Sequence, residues 1–225
     1  ERIYFASPDS IVGDKTVYTY RKSLGIELAK ENNISADVVV PIPDSGVSAA
    51  LGFSQKSSIP FELGIIRSHY VGRTFIEPSQ SIRQFGVKLK HSVNRSCIEN
   101  KRVILIDDSI VRGTTASKIV KMVYEAGAKE VHLGISCPPI KHPDFYGIDT
   151  PNYDELIASK SNIEEMTNLV GAKSLFFLSL NGTYKAMGCK ERNNKLPQFT
   201  DHCFTGEYPI DVSEILKINS TNDKK

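Results

Sequence analysis

The sequence predicts an α/β fold: an open, twisted, mainly parallel sheet with helices on both faces. Three observations carry the prediction. Short β-branched runs alternate with helical patterns along the chain. The runs are almost continuously apolar, as strands covered on both faces must be. Glycines stand where two of the helical patterns stop, at Gly127 and Gly171.

The first helix is expected over 16–33. Ala36-Asp37-Val38-Val39-Val40-Pro41-Ile42 then reads as a buried strand, followed by an alanine-rich helix over 45–54. A second strand is expected over 61–66. The clearest strand is Arg102-Val103-Ile104-Leu105-Ile106. The helix after it, 115–126, puts Ala116, Ile119, Val120 and Val123 on one stripe. A fourth strand over 130–135, a short helix over 162–170 and a fifth strand over 174–180 complete the alternation. Two stretches break the rhythm. Residues 67–91 are polar with no period, and 137–151 are rich in proline, glycine and aromatics. Loops of this length in a compact domain are functional lids or are disordered. The domain is expected over 1–209, with a frayed tail over 210–225. No repeat or linker divides the chain.

Composition narrows the class. A chain of 225 residues makes one large domain, or one domain with an extension, and buries a real core without staples. Lys plus Arg number 28 against 26 Asp plus Glu, a net +2, so a basic nucleic-acid binder is not expected. No apolar run reaches membrane length, and Glu1-Arg2-Ile3-Tyr4-Phe5 is no signal peptide. Cys97, Cys137, Cys189 and Cys203 show neither a C-x-x-C pair nor finger spacing, so reduced thiols and a cytoplasmic location are expected.

The most informative run is Ile106-Asp107-Asp108-Ser109-Ile110-Val111-Arg112-Gly113-Thr114-Thr115. A hydrophobic strand ends in two acids, and a short turn carries Gly-Thr-Thr into a helix start. Ligands of open parallel sheets bind at the carboxyl ends of strands. Helix N-termini offer free N–H groups and a partial positive charge, which suit a phosphate monoester. Gly113 lets the backbone approach closely, and Thr114 and Thr115 add hydroxyl donors. Two carboxylates repel a phosphate. They suit sugar hydroxyls and a hydrated Mg2+. The competing reading is an ordinary capped strand–helix turn. A Walker loop is excluded, because no G-x-x-x-x-G-K-[ST] occurs.

Pro43-Asp44-Ser45-Gly46, between a strand and a helix, reads either as a second anion site or as a plain turn. Residues 67–90 carry Arg67, Arg73, Arg83, Lys88 and Lys90 against one acid, Glu77. That local charge suits an anionic leaving group, though a solvated basic loop has the same composition. His132, inside a strand, reads as a packed residue rather than a base.

On these motifs the chain resembles the type I phosphoribosyltransferases, whose loop for 5-phosphoribosyl-1-pyrophosphate (PRPP) matches residues 107–115. Val40-Pro41-Ile42-Pro43-Asp44-Ser45-Gly46 is similar to the pyrophosphate loop of the amidophosphoribosyltransferase family. His69-Tyr70-Val71-Gly72-Arg73-Thr74-Phe75-Ile76-Glu77-Pro78 through Lys90 resembles that family's catalytic lid. Ile3-Tyr4-Phe5-Ala6-Ser7-Pro8-Asp9-Ser10 and Phe145-Tyr146-Gly147-Ile148-Asp149 match it as well, so the likeness covers about 1–209.

The resemblance implies a type I phosphoribosyltransferase fold and a reaction of PRPP with ammonia that gives 5-phosphoribosylamine and pyrophosphate, the first step of purine synthesis. It implies Arg73 and Lys88 as catalytic contacts to pyrophosphate. Asp44, Ser45, Gly46, Asp107, Asp108, Ser109, Arg112, Gly113, Thr114 and Thr115 would hold the substrate, with Ser45, Asp107 and Asp108 around Mg2+. Purine nucleotides are implied as feedback inhibitors and a homo-oligomer as the assembly. Alternatives on the same fold are a PRPP or purine-nucleotide sensor and a purine-base phosphoribosyltransferase. The family's glutaminase domain, which precedes this region, is expected to be absent or to be a separate chain. Ser7 departs from the family's Arg-Pro-Asp-Ser. Members with an iron–sulfur cluster carry a cysteine where Asp144 stands and a C-x-x-C shortly before Cys203. Neither occurs here, so no cluster is expected.

Overall fold

The computed structural model of the chain describes residues 1–67, 91–146 and 152–213. At its centre lies a four-stranded parallel sheet of β3 (Val38–Pro41), β6 (Arg102–Asp107), β7 (Glu130–Ile135) and β8 (Ser174–Phe177), in that spatial order. The register pairs Val38 with Val103, Val103 with Val131, and His132 with Ser174.

The two-residue period of a strand explains why both faces are apolar. Val38, Val40, Val103, Leu105, Val131 and Leu133 point to one side. There they meet Ile119, Val120 and Val123 of α4 (Thr114–Glu125) and Met166 of α6 (Ile163–Val170). Val39, Ile104, Ile106 and Phe176 point to the other side. They meet Leu24 and Leu28 of α1 (Val17–Glu31), Ala49, Ala50 and Phe53 of α2 (Val47–Ser57), and Ala186 of α7 (Leu180–Ala186). The expected helix-covered sheet is therefore observed, with right-handed crossovers the default for such units.

Helices α1 and α2 pack backbone to backbone. A Cβ at Gly25 would stand 1.8 Å from the Ala49 carbonyl oxygen, and one at Gly52 1.9 Å from that of Lys22. The pairing fixes α2, which leaves the 43–46 turn.

Two expected strands differ from the structure. The 61–66 segment does not enter the sheet as a strand: Phe61 makes a single parallel bridge to Val39. Only Ile65–Arg67 (β4) is extended, and it pairs antiparallel with His91–Val93 (β5) in a separate ribbon. Its ladder to β3 stops after the Val39 N–H to Pro60 carbonyl and Glu62 N–H to Val39 carbonyl bonds, and Leu63 and Ile66 lie exposed, so this segment lacks the alternating buried side chains of an inner strand. The 174–180 strand ends at Phe177. Ser179 Oγ accepts the Gly182 N–H at 2.8 Å and opens α7 instead. Sequence patterning also passed over the small ribbon of β1 (Ile11–Val12) and β2 (Lys15–Thr16), the helices α3 (Arg95–Ile98), α5 (Ile157–Lys160) and α8 (His202–Thr205), and the 3₁₀ turn Tyr153–Glu155.

Candidate phosphate and carboxylate site

The carboxyl ends of β3 and β6, neighbours in the sheet, bring the 43–46 and 107–115 turns together. The Ile42 N–H donates to the Ile106 carbonyl at 2.9 Å. Gly46 then rests directly on β6, since a Cβ there would lie 2.2 Å from the Ile106 carbonyl oxygen. Only glycine permits that approach. Its N–H is committed to the Ile42 carbonyl at 3.0 Å. The Pro43–Asp44 peptide is cis. Ser45 Oγ reaches across to Asp107 Oδ1 at 3.2 Å, joining the two turns through two of the candidate site's side chains.

Asp107 and Asp108 are differently placed. Asp107 is half-buried, and its Oδ1 also accepts the Asp108 N–H at 2.9 Å. Asp108 is only 8% exposed, and its Oδ1 accepts the Ser109 hydroxyl at 2.7 Å. Burial, together with the Asp108 charge, pushes the Asp107 carboxyl up to about 8. Burial pushes Asp108 upward too, against the Ser109 and Ser45 hydroxyls and the Arg21 charge. Arg21, on α1, is itself buried, and its Nη2 donates to the Ala6 carbonyl at 2.8 Å.

Past the two acids the chain enters α4 through Gly113, whose φ of +75° favours glycine. Thr114, Thr115 and Ala116 form the first turn, where amides lack intrahelical acceptors. A cleft of about 240 Å³ opens there, lined by Asp107, Ser109, Arg112 and the 113–116 turn. Of the expected 107–115 set, Asp107, Ser109, Arg112, Gly113, Thr114 and Thr115 line this cleft and Asp108 does not, while Ser45 reaches Asp107 from the turn after the neighbouring strand. Arg73 and Lys88 lie outside the described residues.

Three neighbours of the site were not legible in advance. Asp44 Oδ2 accepts a hydrogen bond from Arg67 Nη1 at 2.6 Å, tying the 43–46 turn to the end of β4. Arg112 pairs with Glu155 of the 3₁₀ turn. Asp144 Oδ2 and His202 Nε2 lie 2.6 Å apart in a buried pair, beside the stacked Tyr208 ring. The partners in each pair are far apart in sequence, and no spacing rule links them. His132 is buried between Ser174 Oγ (2.8 Å) and Glu130 Oε2 (3.3 Å), the packed role expected of it.

Residues 22–150 match the phosphoribosyl transferase domain model. The chain belongs to that family. It is 63% identical over 93% of its length to an amidophosphoribosyltransferase of Rhizobium etli, and 52% identical over 95% to that of Methanocaldococcus jannaschii. It spans only 42% and 44% of those relatives. Among solved structures it is similar to glutamine PRPP amidotransferase from B. subtilis, complexed with ADP and GMP. The TM-score is 0.85 at 50% identity, covering 95% of this chain and 47% of that one. The expected type I phosphoribosyltransferase fold is thus borne out, as is the likeness to amidophosphoribosyltransferases. No helix among the described residues is long and apolar enough to cross a membrane.

Proposed function

We propose that the chain is the phosphoribosyltransferase half of an amidophosphoribosyltransferase, which converts PRPP and ammonia to 5-phosphoribosylamine and pyrophosphate in purine synthesis. The observation that carries this reading is the β6–α4 turn, where the Asp107 carboxylate and a Gly-Thr-Thr helix start line one cleft, with Asp108 buried beside it.

The first-turn amides of α4 and the Thr114 and Thr115 hydroxyls bind the 5-phosphate. Asp107 and Asp108 accept the ribose hydroxyls. The 43–46 turn, with Asp44, Ser45 and Gly46, lies on the pyrophosphate side. Arg73 and Lys88, from the basic stretch 67–90, neutralise the leaving group as the C1–O bond breaks. The ammonia lone pair forms the new C–N bond, and the nitrogen releases a proton to solvent. No side chain forms a covalent intermediate, and positioning does most of the work.

The donor set fits a hard cation: two carboxylates both pushed up by burial, Asp107 also by the Asp108 charge, and the Ser45 hydroxyl 3.2 Å from Asp107. Ser45, Asp107 and Asp108 would hold Mg2+, which neutralises pyrophosphate charge when bound. An iron–sulfur cluster has no place in this reading. Asp144 is engaged by His202, and burial pushes the Cys203 thiol up to about 11, away from the thiolate a cluster needs. Four free cysteines suit a cytoplasmic protein. Feedback by purine nucleotides, a homo-oligomer and a glutaminase partner, either fused or separate, complete the proposal.

The test is PRPP-dependent pyrophosphate release with ammonium chloride, with glutamine and with free purine bases. Ammonia should support turnover by residues 1–225 at alkaline pH, and neither glutamine nor a base should. Base-driven release would make the chain a salvage enzyme. PRPP binding without turnover would make it a sensor.

A further inference from the structure

The PRPP-loop backbone does not stand alone. Residues 153–158 run underneath it and touch it at four points. The Ile157 N–H donates to the Val111 carbonyl at 2.9 Å. Ile157 Cδ1 lies so near Gly113 that a Cβ there would meet it at 2.9 Å. Leu156 is fully buried in a small apolar cluster with Ile140 and Cys203, against which Val111 packs. Above these contacts, Arg112 Nε and Nη2 both donate to Glu155 Oε2. The turn itself is held by Ser159 Oγ, which donates to the Tyr153 carbonyl at 2.6 Å, and by Lys160, whose Nζ lies 2.6 Å from Asp154.

We propose that Glu155 is a positioning residue for the 5-phosphate: through Arg112 it fixes the guanidinium at the rim of the cleft formed by the 107–116 turn. The inference rests on the phosphoribosyltransferase reading above. Both ends of the pair are roughly half exposed, at 58% and 46%, so the pair adds little to folding. Apolar and backbone contacts already dock the turn. What the pair adds is direction. An arginine side chain has many rotamers, and a carboxylate taking Nε and one Nη leaves the other edge of the fork free for a phosphate oxygen. Arg112 lines the same cleft as Gly113, Thr114 and Thr115, so that free edge and the α4 amides face one anion. A substrate phosphate then meets a cation already held in place, and less rotamer freedom is lost on binding.

The experiment is a double-mutant cycle on the full chain, with ribose 5-phosphate as the probe and PRPP as the substrate. Glu155→Gln should weaken ribose 5-phosphate binding about fivefold, the scale of one exposed ion pair. It should raise KM for PRPP similarly, leave kcat within about twofold, and leave the melting temperature unchanged. Arg112→Ala should weaken binding at least as much. In the Arg112→Ala background, Glu155→Gln should then do nothing further. Glu155→Asp should restore part of the loss. An unchanged affinity in Glu155→Gln, or an equal loss with and without Arg112, overturns the inference and leaves the phosphoribosyltransferase reading intact. A wild-type chain that binds neither ribose 5-phosphate nor PRPP overturns both.

Discussion

At the scale of single residues, the site gathers negative charge where a folded chain would rather have none. Burial and the neighbouring carboxylate hold Asp107 well above the ordinary carboxylate range, up to about 8. The folded chain therefore binds more protons than the unfolded chain between about pH 4 and pH 8. Stability must fall as pH rises through that window. Replacing Asp107 with Asn keeps the shape and removes the titration. We expect Asp107→Asn to flatten the loss of stability between pH 5 and pH 8, measured by urea midpoints without Mg2+. Ammonia-dependent turnover should fall at least about 10²-fold, the scale of one preorganised electrostatic contact. A variant that melts earlier at both pH values and keeps its specific activity would make Asp107 a structural cap instead. Asp107, Asp108, Gly113, Thr114 and Thr115 were legible in the sequence because strand end, turn and helix start are contiguous. Glu155 and Arg21 were not, because their effects pass through Arg112 and Asp108, which the fold alone brings near.

At the scale of elements, what was legible followed from period and what was not followed from partners. Ala116, Ile119, Val120 and Val123 were assigned to one stripe of a helix and are all buried against the sheet. The 61–66 run has similar apolar content, yet its ladder to β3 ends after Glu62, and from Ile65 the chain pairs instead as a short ribbon with β5. Sequence could not show that two glycines, Gly25 and Gly52, stand at one helix crossing. That crossing anchors α2, and α2 carries the 43–46 turn. Gly25→Ala would drive a methyl to 1.8 Å from the Ala49 carbonyl oxygen, a backbone atom that cannot swing aside. Its cost should be about 1–3 kcal/mol in chemical denaturation, as for other overpacked cores. It should also lower PRPP affinity, because α1 and α2 must separate and move Ser45 away from Asp107. Stability loss with unchanged affinity would uncouple the crossing from the site.

At the scale of the molecule, the sheet was legible because its strands are almost continuously apolar, with His132 and Gly134 on one face of β7 as the exceptions, and the two helical layers followed from that. The candidate site was legible because its residues lie at strand ends. Charge adds the last step. The chain is nearly neutral, at +2, yet five of its 28 cations fall within 67–90 beside the single acid Glu77. A uniform charge of +2 would draw a polyanionic substrate weakly. A local cluster attracts it strongly, but only within a Debye length, about 8 Å at physiological salt. The dependence of kcat/KM for PRPP on ionic strength should therefore be steep for so neutral a chain. We expect a fall of several-fold between about 50 and 300 mM KCl, with kcat nearly constant. Replacing Arg73 and Lys88 with Gln changes net charge by only two, but should flatten that slope and reduce kcat as well. The same exchange at Lys22 and Lys30 on α1 should leave both unaltered. Equal salt slopes in all three proteins would show that the basic stretch is solvated surface and that pyrophosphate is neutralised elsewhere.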